Sequence, residues 1–96
     1  MNWLLQSEPE SVEDVDISTG TDNPSKVILF NDEIHSFDEV IVQLMKAINC
    51  SAETAEGFAW EVHTKGKAAV YEGEMADCLR VSAVLEEINL HTQIEY

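Results

Sequence analysis

The sequence predicts a two-layer α+β domain running strand, helix, helix, strand, helix, strand, with three helices on a three-stranded antiparallel sheet. Three observations predict it. Unpatterned acidic sequence gives way at Lys26 to a short, continuous apolar run. Behind it, two serines each open a segment whose apolar residues recur at helical spacing. A third helical stretch then lies between two short apolar runs.

The first strand is read over Lys26–Phe30, because an uninterrupted Val-Ile-Leu-Phe run fits a buried strand. Asn31, Asp32 and Glu33 follow as turn formers. Ser36 and Glu39 have the spacing of a capping box, and Phe37, Val40, Ile41, Leu44 and Ile48 form one helical face ending at Asn49 and Cys50. Ser51 caps a second helix lined by Ala52, Ala55, Phe58, Ala59 and Val62. His63 and Lys65 sit in its last turn and Gly66 closes it, a cationic end with a C′ glycine. Lys67–Tyr71 is the second strand, with Glu72 and Gly73 as a tight connection. The third helix is read from Glu74 to Asn89, with Met75, Leu79, Ser82, Leu85 and Ile88 on its stripe. Thr92–Tyr96 is the last strand. The first strand is placed between the other two and antiparallel to both.

Residues 1–25 are read as a flexible acidic arm and 26–96 as the folded core. The arm holds Glu8, Glu10, Glu13, Asp14, Asp16 and Asp22 but no Lys or Arg, too little apolar surface to offset ordering entropy. Trp3, Leu4 and Leu5 form a short apolar cluster near its tip, either a docking element or part of a solubilising tail.

The 96 residues include 19 acidic and 5 basic side chains, a formal net charge of −14. Nucleic acid is therefore excluded as a partner, since phosphate binding needs clustered Lys and Arg. No apolar run approaches the ~20 residues that cross a bilayer, and the N-terminus lacks the basic flank of a signal peptide. Cys50 and Cys78 are too far apart for a Cys-x-x-Cys site, and two free cysteines suit a reducing cytoplasm. Self-repulsion at this charge favours a monomer.

Catalytic motifs are lacking. There is no Gly-x-Ser-x-Gly, no phosphate-cradling glycine loop and no His-Glu-x-x-His, so neither an enzyme nor a cofactor is expected. The informative set is Asn31, Asp32, Glu33 and His63. Brought together, they make a negative, acceptor-rich cluster that suits a primary ammonium group with its three donors, provided His63 is neutral. Phe37, Val40, Ile41, Ala59 and Val62 could supply an apolar pocket beside it. Each of these residues also has a sufficient structural task as turn former, cap or core. Trp60 lies off the second helix's stripe, either on a wider core arc or as an exposed contact.

Two segments resemble a known family. Lys26-Val-Ile-Leu-Phe-Asn-Asp-Glu33, followed after a helix by Glu61-Val-His-Thr-Lys-Gly-Lys-Ala68, is similar to the Clp protease adaptor family, ClpS, in order and separation. The resemblance implies a fold similar to the C-terminal domain of the ribosomal stalk protein. It also implies a non-enzymatic role: binding proteins that begin with a bulky hydrophobic residue and delivering them to an AAA+ Clp unfoldase, ClpA or ClpC, for degradation by ClpP. By position, Asn31, Glu33 and His63 would hold the cargo α-amino group with Asp32 beside them. His35, Phe37, Val40, Ile41, Ala59 and Val62 would line the side-chain pocket. Glu74 and Asp77 would lie on the surface that docks the unfoldase, which would also engage the acidic arm. Two departures stand out: many members have Thr-Pro-Met where this chain has His35-Ser36-Phe37, and a pocket Met is replaced by Ala59. An alternative role within the same fold is a regulator that docks on the unfoldase without reading N-termini.

Overall fold

The computed structural model describes residues 23–96, so the acidic arm, apart from its last residues, lies outside the described residues. Its elements are β1 (Ser25–Phe30), α1 (Phe37–Ile48), α2 (Ala52–Lys65), β2 (Lys67–Gly73), α3 (Met75–Glu86) and β3 (Thr92–Glu95). The sheet order is β2-β1-β3, with β1 antiparallel to both neighbours, as the sequence predicts.

The apolar run of β1 is explained by its central position. Val27 and Leu29 face the helices and are fully buried, while Ile28 on the opposite face is shielded between Ala69 and Gln93 of the flanking strands. A bulge places Val70 and Tyr71 together opposite Val27, so both join the core. From the helices, Leu44 and Ala47, Ala55 and Val62, and Val81 and Leu85 complete the packed layer.

The caps form as the sequence requires. Ser36 Oγ accepts the Glu39 N–H while the Glu39 carboxylate accepts the Ser36 N–H, and Ser51 Oγ accepts the Thr54 N–H. Asn49 and Gly66 close α1 and α2 in the left-handed region. At Gly66, with φ of 89°, a side chain is strained. Gly66→Ala should cost about 1–2 kcal/mol, read as a lower urea midpoint with an unchanged slope.

Two expectations need correction. α3 ends at Glu86 rather than Asn89, and its buried stripe is Cys78, Val81 and Leu85, with Leu79 56% exposed. Both stripes satisfy helical spacing; the observed one treats Cys78 as a small hydrophobe, which its sulfur permits. Second, Glu72 and Gly73 extend β2 instead of forming a separate turn, because β1 pairs with them through Lys26 and Ser25. The sequence pattern also missed Gln43, a buried polar side chain on α1. Its amide donates to the Val84 carbonyl at 2.6 Å and so ties α1 to α3.

Candidate functional site

The first strand delivers the acidic loop to the end of α2. The Asn31 N–H donates to the Gly66 carbonyl at 2.9 Å, and the Phe30 N–H donates to the His91 carbonyl at 3.0 Å. The glycine that terminates α2 thus also anchors the loop, which sets Asn31, Asp32 and Glu33 beside His63 in the helix's last turn.

A cavity of about 580 Å³ opens at this junction. Asn31, Asp32, Glu33 and His63 line it together. Phe37 and Val40 come to it from α1, Ala59, Trp60 and Val62 from α2, and Leu29, Phe30 and Leu90 from the sheet side. Ile41 is placed differently: it packs half-buried against the core and does not line the cavity. Trp60 is exposed at the mouth, its ring 4.9 Å from Phe37 and 6.0 Å from His63, centroid to centroid. Leu90 is invisible to the sequence pattern, which carries the third helix through Asn89. In the structure Asn89 adopts a left-handed turn, with φ of 68°, that redirects the chain to the cavity wall.

The polar residues divide by how their side chains are engaged. Asp32 is spent on the loop itself. Its Oδ1 accepts the N–H groups of Ile34 and His35, both at 2.9 Å, and its Oδ2 accepts from His35 Nδ1 at 2.8 Å. Partial burial opposes ionisation of this carboxyl, but the bonds from the His35 and Ile34 backbone and the His35 ring outweigh it and hold Asp32 below the usual range. The side chains of Asn31, Glu33 and His63 make no hydrogen bond to one another or to other described residues, so their acceptors remain available at the rim. His35 belongs to the lining of the cavity but is a polar bridge: it bonds Asp32 through Nδ1 and the Ile88 carbonyl through Nε2.

The deciding comparison is by sequence pattern. Residues 21–93 match the family described as ATP-dependent Clp protease adaptor protein ClpS. This chain belongs to the ClpS family.

ClpS proteins being adaptors, the family is not one of enzymes. The fold agrees with that of Agrobacterium tumefaciens ClpS2 bound to L-phenylalaninamide, with a TM-score of 0.71 and 22% identity over 76% of this chain and 95% of that one. Sequence relatives include E3 ubiquitin-protein ligases. Mouse UBR2 is 35% identical over 88% of this chain, and human UBR1 is 35% identical over 69%. This ClpS chain spans only 5% of UBR2 and 4% of UBR1. No helix among the described residues is long and apolar enough to cross a membrane.

Glu74 and Asp77 are exposed at the start of α3, where Glu74 takes the N-cap position. Cys50 and Cys78 are unpaired, and burial pushes the Cys78 thiol up, away from thiolate chemistry.

Proposed function

We propose that this ClpS domain recognises proteins by a bulky hydrophobic N-terminal residue and delivers them for degradation. One observation carries the reading: acceptor-bearing Asn31, Glu33 and His63 share the rim of a cavity walled by Phe37, Val40, Ala59, Val62 and Leu90. An α-ammonium group supplies three donors and a positive charge to the rim, and the first side chain enters the apolar interior. Asp32 serves by shaping the loop. The compound bound to the A. tumefaciens relative, L-phenylalaninamide, combines a free amine with an aromatic side chain and supports this assignment.

The recipient is an AAA+ Clp unfoldase of the ClpA or ClpC type, contacted through Glu74, Asp77 and the exposed start of α3, with the domain acting as a cytoplasmic monomer. A second reading of the recipient is favoured by the identity with UBR2 across 88% of the chain: the same N-terminal recognition serving ubiquitin ligation. Titration of a purified Clp unfoldase N-terminal domain separates the two. Binding that Glu74→Lys with Asp77→Lys weakens supports the first, and none supports the second.

The site itself is tested by fluorescence polarisation with peptides differing only in their first residue: Leu, Phe, Trp or Val. The bulky residues should bind at micromolar affinity or better, and Asn31→Ala with His63→Ala should weaken them about 100-fold while thermal unfolding stays near wild type. Flat traces for every peptide on wild type would instead indicate a docking regulator that reads no N-terminus.

A further inference from the structure

His35 occupies a position that cavity lining alone does not explain. Its side chain is only 10% exposed, and each ring nitrogen faces an acceptor: Nδ1 meets Asp32 Oδ2 at 2.8 Å, and Nε2 meets the Ile88 carbonyl. Neither partner has a proton to give, for Asp32 is held ionised and Ile88 offers a carbonyl. Both ring nitrogens must therefore donate, which makes the ring an imidazolium. The two partners belong to different segments of the chain, the acidic loop and the α3–β3 connection. Asp32 shapes the acidic loop, while Ile88 precedes the left-handed Asn89 and the wall residue Leu90.

We propose that His35 is a positioning residue, whose doubly donating ring staples the acidic loop to the α3–β3 connection and holds the recognition cavity in its binding shape. The inference rests on the N-terminus reading of the site and adds a pH dependence to it. The Asp32 hydrogen bond, then the Ile88 carbonyl, raises the ring's proton affinity above that of an ordinary histidine against the opposing effect of burial, and the charges of Asp32 and of Glu39 in the first turn of α1 add to it. The other carboxylates of the α3 end are engaged elsewhere: Glu87 with Lys46 and Glu86 with Thr92. From α2, His63 lines the same cavity, as does Glu33 from the loop. Because the folded-state affinity is raised, the staple is complete below the ordinary histidine pKa and opens as pH rises through the higher folded value. When the ring loses a proton, one nitrogen lone pair faces an acceptor and that arm of the staple is lost.

The test is the affinity of the full chain for a Phe-initiated peptide from about pH 5.5 to about pH 9, for wild type and His35→Gln. The ratio of the two cancels titration of the peptide amine, near pH 8, and of every group the two proteins share. Wild type should bind about tenfold more tightly at the acid end and lose that advantage as pH rises. A ratio independent of pH overturns the proposal. Nitrogen NMR of the wild-type imidazole needs no variant: both ring nitrogens of His35 should be protonated at neutral pH and titrate together with the Ile34 and His35 amides. A neutral, single-tautomer ring at neutral pH overturns it. If no peptide binds at any pH, the N-terminus reading fails and His35's part in recognition with it, while the ring signals show separately whether the staple forms.

Discussion

Acetylating the N-terminus of a Leu- or Phe-initiated peptide should weaken its binding to this domain about 100-fold or more. The rim at Asn31, Glu33 and His63 offers acceptors to a group that carries three donors and a charge. Acetylation removes the charge and leaves one donor. The loss of two charge-assisted hydrogen bonds at about 1.5 kcal/mol each amounts to about 3 kcal/mol, which is two orders of magnitude in affinity. The rim acceptors would also have to lose water without a replacement partner. Paired peptides of identical sequence, free and acetylated, measured by fluorescence polarisation decide the matter. Equal affinities would show that the cavity binds apolar side chains without reading the amine.

The largest effect on stability is expected at Leu85. Its side chain is fully buried in α3 among the residues that join the helices to the sheet. Leu85→Ala should cost about 3–5 kcal/mol, a transfer loss plus an unfilled cavity. A domain of this size has a total stability of only about 5–10 kcal/mol, so much of it would go. Leu79, on the same helix, is 56% exposed, and Leu79→Ala should stay within about 0.5 kcal/mol. Urea unfolding of both variants checks the magnitude and the helix face together. Comparable losses at the two positions would mean that α3 presents a different face to the sheet.

That pair marks where the sequence was informative and where it was not. Elements ended by local chemistry were legible: Ser36 with Glu39, Ser51 and Gly66 set the helix ends wherever they occur, because their hydrogen bonds are made within a few residues. The continuous apolar character of β1 marked it as a buried strand, and its central place in the sheet accounts for that character. The face of α3 was not legible, since Met75-Leu79-Ser82 and Cys78-Val81-Leu85 share the same periodicity and only packing chooses between them. At the site, the polar group was visible as residue chemistry, and the bond from Asn31 to Gly66 supplies the geometry that unites it. The separate roles of Asp32 and His35 were hidden, because the Ile88 carbonyl that completes their bridge is a backbone atom carrying no sequence signal. Leu90 and Trp60 reach the cavity through a left-handed Asn89 and through exposure at a helix edge, features that periodicity does not encode.

The central place of β1 has a kinetic consequence. Lys26 pairs with Glu72 on one side and with Glu95 on the other, so the earliest strand waits for the last one before its second edge is satisfied. On a ribosome, α1 and α2 can coil as they emerge, but the sheet cannot close until the far end of the domain has left the exit tunnel. Ordering the chain before those distant contacts form carries a loop-closure cost that local helices do not bear. During that interval the apolar strand of Val27, Ile28 and Leu29 keeps one edge open. The nascent domain is therefore most vulnerable to aggregation and proteolysis until β3 has emerged and paired with β1.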